Sequence, residues 1–254
     1  MILSLINQKG GSGKTTTATN VSAALTKEGY TVLLIDLDPQ GNATSAAGLQ
    51  PQEVAAVPTV YEVLKGDVDV NEAIRATAGG YDVLPTDIRQ SGADIELSAA
   101  AGRDFILREA IDRIEKEYDY ILLDCPPALS IITIMALTAC NEAIIPVQAQ
   151  FYALQGTAQL MKTFDMIKRR TNLDLSLCGV VVTIYDGRKN LDREVLESVR
   201  GAFGEKVFNT QIRNNVSLAE APAFGKDVFQ YKPDSAGAAD YMALTDEIIK
   251  RTKE

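Results

Sequence analysis

Hydrophobic positions along this chain alternate between two periods. Short apolar, β-branched runs occupy Ile2–Ile6, Thr31–Ile35, Tyr81–Leu84, Tyr120–Leu123, Ala143–Val147, Cys178–Ile184 and Val207–Ile212. Several lack the in–out alternation of a half-exposed strand, as expected where both faces of a sheet are covered. Between them lie stretches of helical period at Thr15–Glu28, Arg103–Glu117, Leu154–Arg170 and Leu191–Phe203. A last helix from about Gly237 places Tyr241, Leu244 and Ile248 on one face and ends in Lys250, Arg251 and Lys253, which complement its dipole. Strand–helix alternation of this kind predicts a doubly wound, mostly parallel α/β sheet with helices on both faces. Gln50–Val57 and Gly79-Gly80 read as surface loops. No repeat, low-complexity segment or linker divides the chain, so one domain spanning 1–254 is expected.

Composition narrows the chemistry by what is missing. There is no histidine, which excludes a Ser-His-Asp triad, a Cys-His dyad and His-ligated zinc. Cys125, Cys140 and Cys178 are far apart and form no C-x-x-C pair, so a reduced, cytoplasmic setting is expected. The amino terminus runs straight into an apolar strand without a basic region or cleavage site, and no apolar run reaches the length of a spanning helix. Formal net charge is −9, unevenly spread. Residues 1–150 carry 10 Lys+Arg against 20 Asp+Glu, and residues 151–254 carry 15 against 14. A surface for polyanions therefore belongs to the C-terminal half, as a local patch on an acidic body.

The first strand leads into Asn7-Gln8-Lys9-Gly10-Gly11-Ser12-Gly13-Lys14-Thr15-Thr16, which opens directly into a helix. A glycine-rich turn lets backbone N–H groups converge on phosphate oxygens, and the helix start adds a positive dipole end. A bare Gly-Lys-Thr could be a tight turn; strand, loop and helix together point to a phosphate loop. Residues 9–16 would cradle the phosphates, Lys14 reaching the β- and γ-groups and the Thr15 hydroxyl ligating Mg²⁺. Asp36 and Asp38 follow the second strand, at the carboxyl end where open α/β sheets bind ligands. The apolar run Tyr120–Leu123 ends in Asp124, the pattern of a carboxylate that holds magnesium directly or through water.

The string K-G-G-S-G-K-T departs from the common phosphate loop, with Gln8 at its first glycine position and an added lysine before a Gly-Gly pair. It resembles the deviant phosphate loop of the ParA/MinD family, as D-x-D-P-Q-G-N-A-T from Asp36 and D-C-P-P from Asp124 resemble that family's two switches. The resemblance implies an Mg-dependent ATPase, slow unless stimulated, that closes into a homodimer on binding ATP. Lys9 is then the lysine that crosses to the partner's nucleotide, Lys14 acts within its own subunit, and Gly10 sits where a side chain would obstruct closure. Asp38 orients the attacking water and Asp36 supports the magnesium shell.

Later strings, 146–156, 185–188, 215–222 and 235–238, look like chromosomal Soj-like ParA proteins. That group implies sequence-independent DNA binding by the ATP-bound dimer, nucleoid association and a ParB-like partner with a basic N-terminal segment. Arg188 matches one DNA-binding position, whereas Ser217 stands where an arginine is usual. Lys189, Arg193, Arg213, Lys226 and Lys232 could substitute. No helix-turn-helix region precedes the phosphate loop, so operator binding is not expected. The short tail I-I-K-R-T-K-E predicts no stable membrane association, and a lone Cys125 near a switch argues against a shared iron–sulfur cluster.

Overall fold

The computed structural model describes residues 1–150, 154 and 156–253; the landmarks Phe151, Tyr152, Ala153 and Gln155 lie outside them. Seven strands form one sheet: β1 (Ile2–Leu5), β2 (Val32–Asp36), β3 (Arg75–Ala76), β4 (Asp82–Leu84), β5 (Tyr120–Asp124), β6 (Glu142–Gln148) and β7 (Ser176–Thr183). Their order is β3-β4-β2-β5-β1-β6-β7, and all pair in parallel except the edge strand β3. This is the expected doubly wound sheet. The central strands are covered on both sides: Leu33, Ile35, Ile121 and Leu123 enter one apolar cluster, Leu34 and Leu122 the other. The period of two persists inside unbroken apolar runs, and only burial of both faces lets every position be apolar.

The C-terminal helix, Ala236–Lys253, buries Tyr241, Leu244 and Ile248 in the same cluster as Val21 and Leu25 of the Lys14–Lys27 helix. Its expected apolar face is thus spent on the core. Among the described residues no helix is long and apolar enough to cross a membrane. The glycine pair at 79–80 forms the turn between β3 and β4, with Thr77 N–H donating to Tyr81 O at 3.2 Å.

Three expectations need correction. Val207–Ile212 is not a strand; Val207 makes an isolated bridge to Val180 of β7, and Arg213, just beyond the segment, makes one to Tyr185. The ladder is interrupted because Asn209 and Thr210 donate their N–H groups to Glu247 of the C-terminal helix, at 2.9 and 2.8 Å. The helix expected over Arg103–Glu117 spans only Ile106–Asp112, preceded by a 3₁₀ turn. The Asn71 side chain stops it, donating to Arg113 O and accepting from Glu115 N–H at 3.0 and 2.9 Å. The loop Gln50–Val57 contains a helical turn, Pro51–Val54. Its first position is proline, and Glu53 reaches back to the Gln50 N–H at 2.7 Å.

Candidate nucleotide site

The phosphate loop runs from the carboxyl end of β1 to the Lys14–Lys27 helix. Asn7 pins its start: Nδ2 donates to Pro146 O in β6 at 2.7 Å, and Oδ1 accepts from Lys9 N–H at 3.0 Å. Thr183 at the end of β7 holds the far side, donating to Ser12 O at 2.8 Å. Gly11 and Gly13 have φ of 71° and 87°, left-handed values that L side chains rarely adopt. Gly10 is different. It has no positive φ, and a Cβ there would meet nothing within 4 Å, so nothing within the chain demands glycine at that position. No side chain caps the helix that begins at Lys14, which leaves its first N–H groups available to an anion.

The two lysines differ in setting. Lys14 is buried, and its ammonium makes a long hydrogen bond, 3.4 Å, to Lys9 O. Burial lowers its pKa, while Asp124, Cys125 and Asp38 pull the other way. Lys9 reaches away from the loop to donate to Gln150 Oε1 at 2.8 Å.

Asp36 and Asp124 are register neighbours on β2 and β5, both fully buried. The Asp36 carboxylate receives the Thr44 N–H and hydroxyl, each at 2.8 Å, and the Asp38 N–H at 3.1 Å. Burial still pushes it up to about 7, against those hydrogen bonds and with a small addition from Asp38. Among the described residues neither Asp124 oxygen meets a hydrogen-bond partner. Burial raises its pKa well above the carboxylate range and Asp36 adds to that, while the nearby Thr15 hydroxyl and Lys14 favour the charged form. Asp38, mostly buried, accepts from Gln40 N–H at 3.1 Å. Two orphaned buried carboxylate oxygens are costly unless a partner is supplied, and a hard dication is the partner this donor set suits. Among the described residues no group of three or more Asp, Glu, Cys or His side chains is arranged to hold a metal. Cys125, beside Asp124, packs on Ser4 with Sγ 3.3 Å from its hydroxyl and has no cysteine partner.

Two clefts flank the helix start. One, about 210 Å³, lies between Gly11, Thr16, Ile184, Ile212, Asn214 and Tyr241. Its lining is mainly apolar, with Asn214 and Asn215 among the residues that bound it. The other, about 440 Å³, lies between Thr15, Thr16, Asn42, Ser45, Leu218 and Lys226. Apart from Gly11, Thr15, Thr16 and Lys226, these residues were not anticipated as site residues. The available signal was positional, since Ile184 directly follows a parallel strand. Of the anticipated basic residues, Arg188, Lys189, Arg193, Arg213, Lys226 and Lys232 are all exposed. Arg188 and Arg213 are paired to Asp186 and Asp240. Ser217, where an arginine is usual, is buried.

The family model described as an AAA domain matches residues 1–177. The chain is 44% identical over 248 residues to the sporulation initiation inhibitor protein Soj of Bacillus subtilis, covering 97% of each. It is 45% identical over 252 residues to the chromosome-partitioning ATPase Soj of Thermus thermophilus, covering 99% of this chain and 96% of that protein. Among solved structures it superposes, with a TM-score of 0.87 and 34% identity, on a Mycobacterium smegmatis protein described as cobyrinic acid a,c-diamide synthase with bound ADP and magnesium. That match covers 100% of this chain and 95% of the other. Sequence, fold and the geometry of the phosphate loop agree: the chain belongs to the ParA/MinD family of P-loop ATPases, alongside the Soj-like ParA proteins.

Proposed function

We propose that this protein is an ATP-driven switch that closes into a homodimer on binding Mg-ATP, binds DNA without sequence preference in that state, and partitions a chromosome or plasmid. The observation that carries the ATPase part is Asp124, whose two buried carboxylate oxygens are unpartnered among the described residues and lie beside Lys14 and Thr15. Thr15 and Asp124, with Asp36 in support, would hold magnesium, which neutralises charge on the phosphates when bound. The chain's own groups do the rest. Lys14 and the N–H groups of residues 10–16 bind the β- and γ-phosphates and offset the charge that develops during transfer. Asp38, at the mouth of the site, orients the attacking water. Lys9 donates to Gln150 and would exchange that contact for a partner's nucleotide once the unobstructed Gly10 surface meets its copy.

No side chain in the site is a strong independent base, so basal turnover is slow and nucleotide state acts mainly as a switch. The stimulating partner is a ParB-like centromere-binding protein with a basic N-terminal segment, and the ATP-bound form associates with the nucleoid. A membrane-anchored variant of the switch is disfavoured, because the apolar face of the C-terminal helix is buried against the Lys14–Lys27 helix.

The deciding experiment is binding of the Asp38→Ala variant to random-sequence duplex DNA with ATP, ADP or no nucleotide, across a salt series. ATP-dependent binding that weakens steeply with salt is expected. A normal ATP-dependent dimer without DNA binding would keep the ATPase and move its cargo to a protein or a membrane.

A further inference from the structure

The turn that carries Asp38 is fastened at both ends, and one carboxylate serves both. Asp36 closes β2, and Asp38 donates its N–H to Asp36 Oδ1 at 3.1 Å. Asp38 O accepts from Gly41 N–H at 2.9 Å, and the Asp38 carboxylate accepts from Gln40 N–H at 3.1 Å. The chain then enters a short helix, Asn42–Ala46, whose cap position is Gly41, with φ of 63° and no side chain to offer. Asp36 Oδ2 takes that part, accepting Thr44 N–H at 2.8 Å from across the turn. A carboxylate on β2 thus satisfies a donor that a capping side chain would otherwise satisfy.

Thr44 adds a contact that the backbone alone does not make. It is 2% exposed, and its hydroxyl donates to Asp36 Oδ2 at 2.8 Å and accepts from Thr86 N–H at 3.1 Å. Thr86 lies just past β4, which pairs with β2 on the side away from β5. One hydroxyl therefore joins the turn, the carboxylate at the end of β2 and the loop after β4. Gly41 packs at the same place, where a Cβ would lie 3.5 Å from Thr86 O. A hydroxyl can donate to a carboxylate and accept from an amide at once, and an aliphatic side chain of the same shape can do neither.

We propose that Thr44 is a positioning residue for hydrolysis: by clamping the turn to Asp36 and to the loop after β4, its hydroxyl fixes where the Asp38 carboxylate stands. This role rests on the reading above that Asp38 orients the attacking water. With its hydroxyl spent on Asp36 and Thr86, Thr44 acts on the reaction only through Asp38. Misplacing a reacting group by about 1 Å costs on the order of a hundredfold in rate. The phosphate loop is held by separate contacts, from Pro146 and Thr183, so rate and nucleotide affinity should separate.

The test compares Thr44→Val, which keeps the shape and loses the hydroxyl, with Thr44→Ser, which keeps the hydroxyl. Hydrogen exchange is followed in the nucleotide-free protein, affinity with a fluorescent ATP analogue and Mg²⁺, and hydrolysis by phosphate release in a single turnover. In the Val variant the Asp38 and Thr86 amides should exchange about tenfold faster or more. Its hydrolysis should fall about tenfold or more while affinity stays within about threefold. The Ser variant should stay close to wild type in all three. In an Asp38→Ala background, Thr44→Val should slow hydrolysis no further, because both changes act through one group. Wild-type hydrolysis in the Val variant, unchanged exchange at Asp38 and Thr86, or equal losses of affinity and rate would each overturn the positioning role and leave the Asp38 reading intact. Undiminished hydrolysis by Asp38→Ala would instead remove that reading, and the role of Thr44 with it. If Thr44→Val does not fold, Thr44→Ala carries the same expectations without pressing a methyl group against the carboxylate.

Discussion

Replacing Asp36 by Asn should make the nucleotide-free protein more stable at pH 8 than wild type, and this advantage should vanish towards pH 4. The reason lies in where the proton goes. Asp36 is fully buried, and despite three hydrogen bonds favouring the charged form it is pushed up to about 7. In the unfolded chain the same group loses its proton near 3.8. Between those values the folded state binds more protons, so its stability falls as pH rises. The contribution of this group is complete below about pH 4 and is lost as pH passes through 7. Three pH units at about 1.36 kcal/mol each correspond to about 4 kcal/mol. Asn reproduces the uncharged carboxyl and keeps one oxygen for Thr44, but it leaves one donor poorly paired, at about 1 kcal/mol. The net advantage at pH 8 is then about 3 kcal/mol.

Urea denaturation of both proteins between pH 5 and 8, with EDTA and no nucleotide, measures the difference directly. Adding Mg-ATP should reverse the order, because ligand that binds the native charged site stabilises wild type by mass action. A stability difference independent of pH, or an Asn variant less stable at pH 8, would show that the native site keeps Asp36 ionised and that the burial argument is wrong.

Arg251→Ala should cost about 2–4 kcal/mol in urea denaturation. Its guanidinium serves the carbonyls of Cys178, Lys206, Val207 and Glu205 at 2.8–3.3 Å and lies 4.2 Å from the Phe208 ring centroid. Lysine at 251 should restore less than half of this, and a loss under 1 kcal/mol for Ala would sink the argument. Gly237→Ala places a Cβ 2.7 Å from Leu218 Cγ, so overpacking of about 1–3 kcal/mol is expected. Because Leu218 lines both clefts, affinity for a fluorescent ATP analogue should fall with it, and unchanged affinity would mean the clefts are not the nucleotide site. Lys9→Ala removes one surface hydrogen bond to Gln150. Stability should change by less than about 0.5 kcal/mol and ATP should still bind, while ATP-dependent dimerisation or hydrolysis fails. Normal turnover with a normal dimer would rule out the crossing role.

Much of the site was legible because its signals are local. Apolar runs closed by Asp36 and Asp124, and a glycine-rich turn between a strand and a helix, are encoded within ten residues, and parallel pairing alone then brings both aspartates to one end of the sheet. Misreadings arose where the deciding partner is distant. Val207–Ile212 has the composition of a strand, but Glu247, 38 residues from Asn209, takes the N–H groups a ladder would need. The helix after Arg103 ends early because Asn71, 42 residues from Arg113, caps it. The same limit hid the clefts and the carboxylates that occupy Arg188 and Arg213. What this sequence determined by itself was the parallel α/β frame and the residue types gathered at its phosphate loop, since periodicity and turn chemistry act between near neighbours. Which arginines are paired, which carboxylate is unpartnered among the described residues and where the clefts lie were decided only by tertiary packing, which sets long-range partners and strips water from the groups it buries.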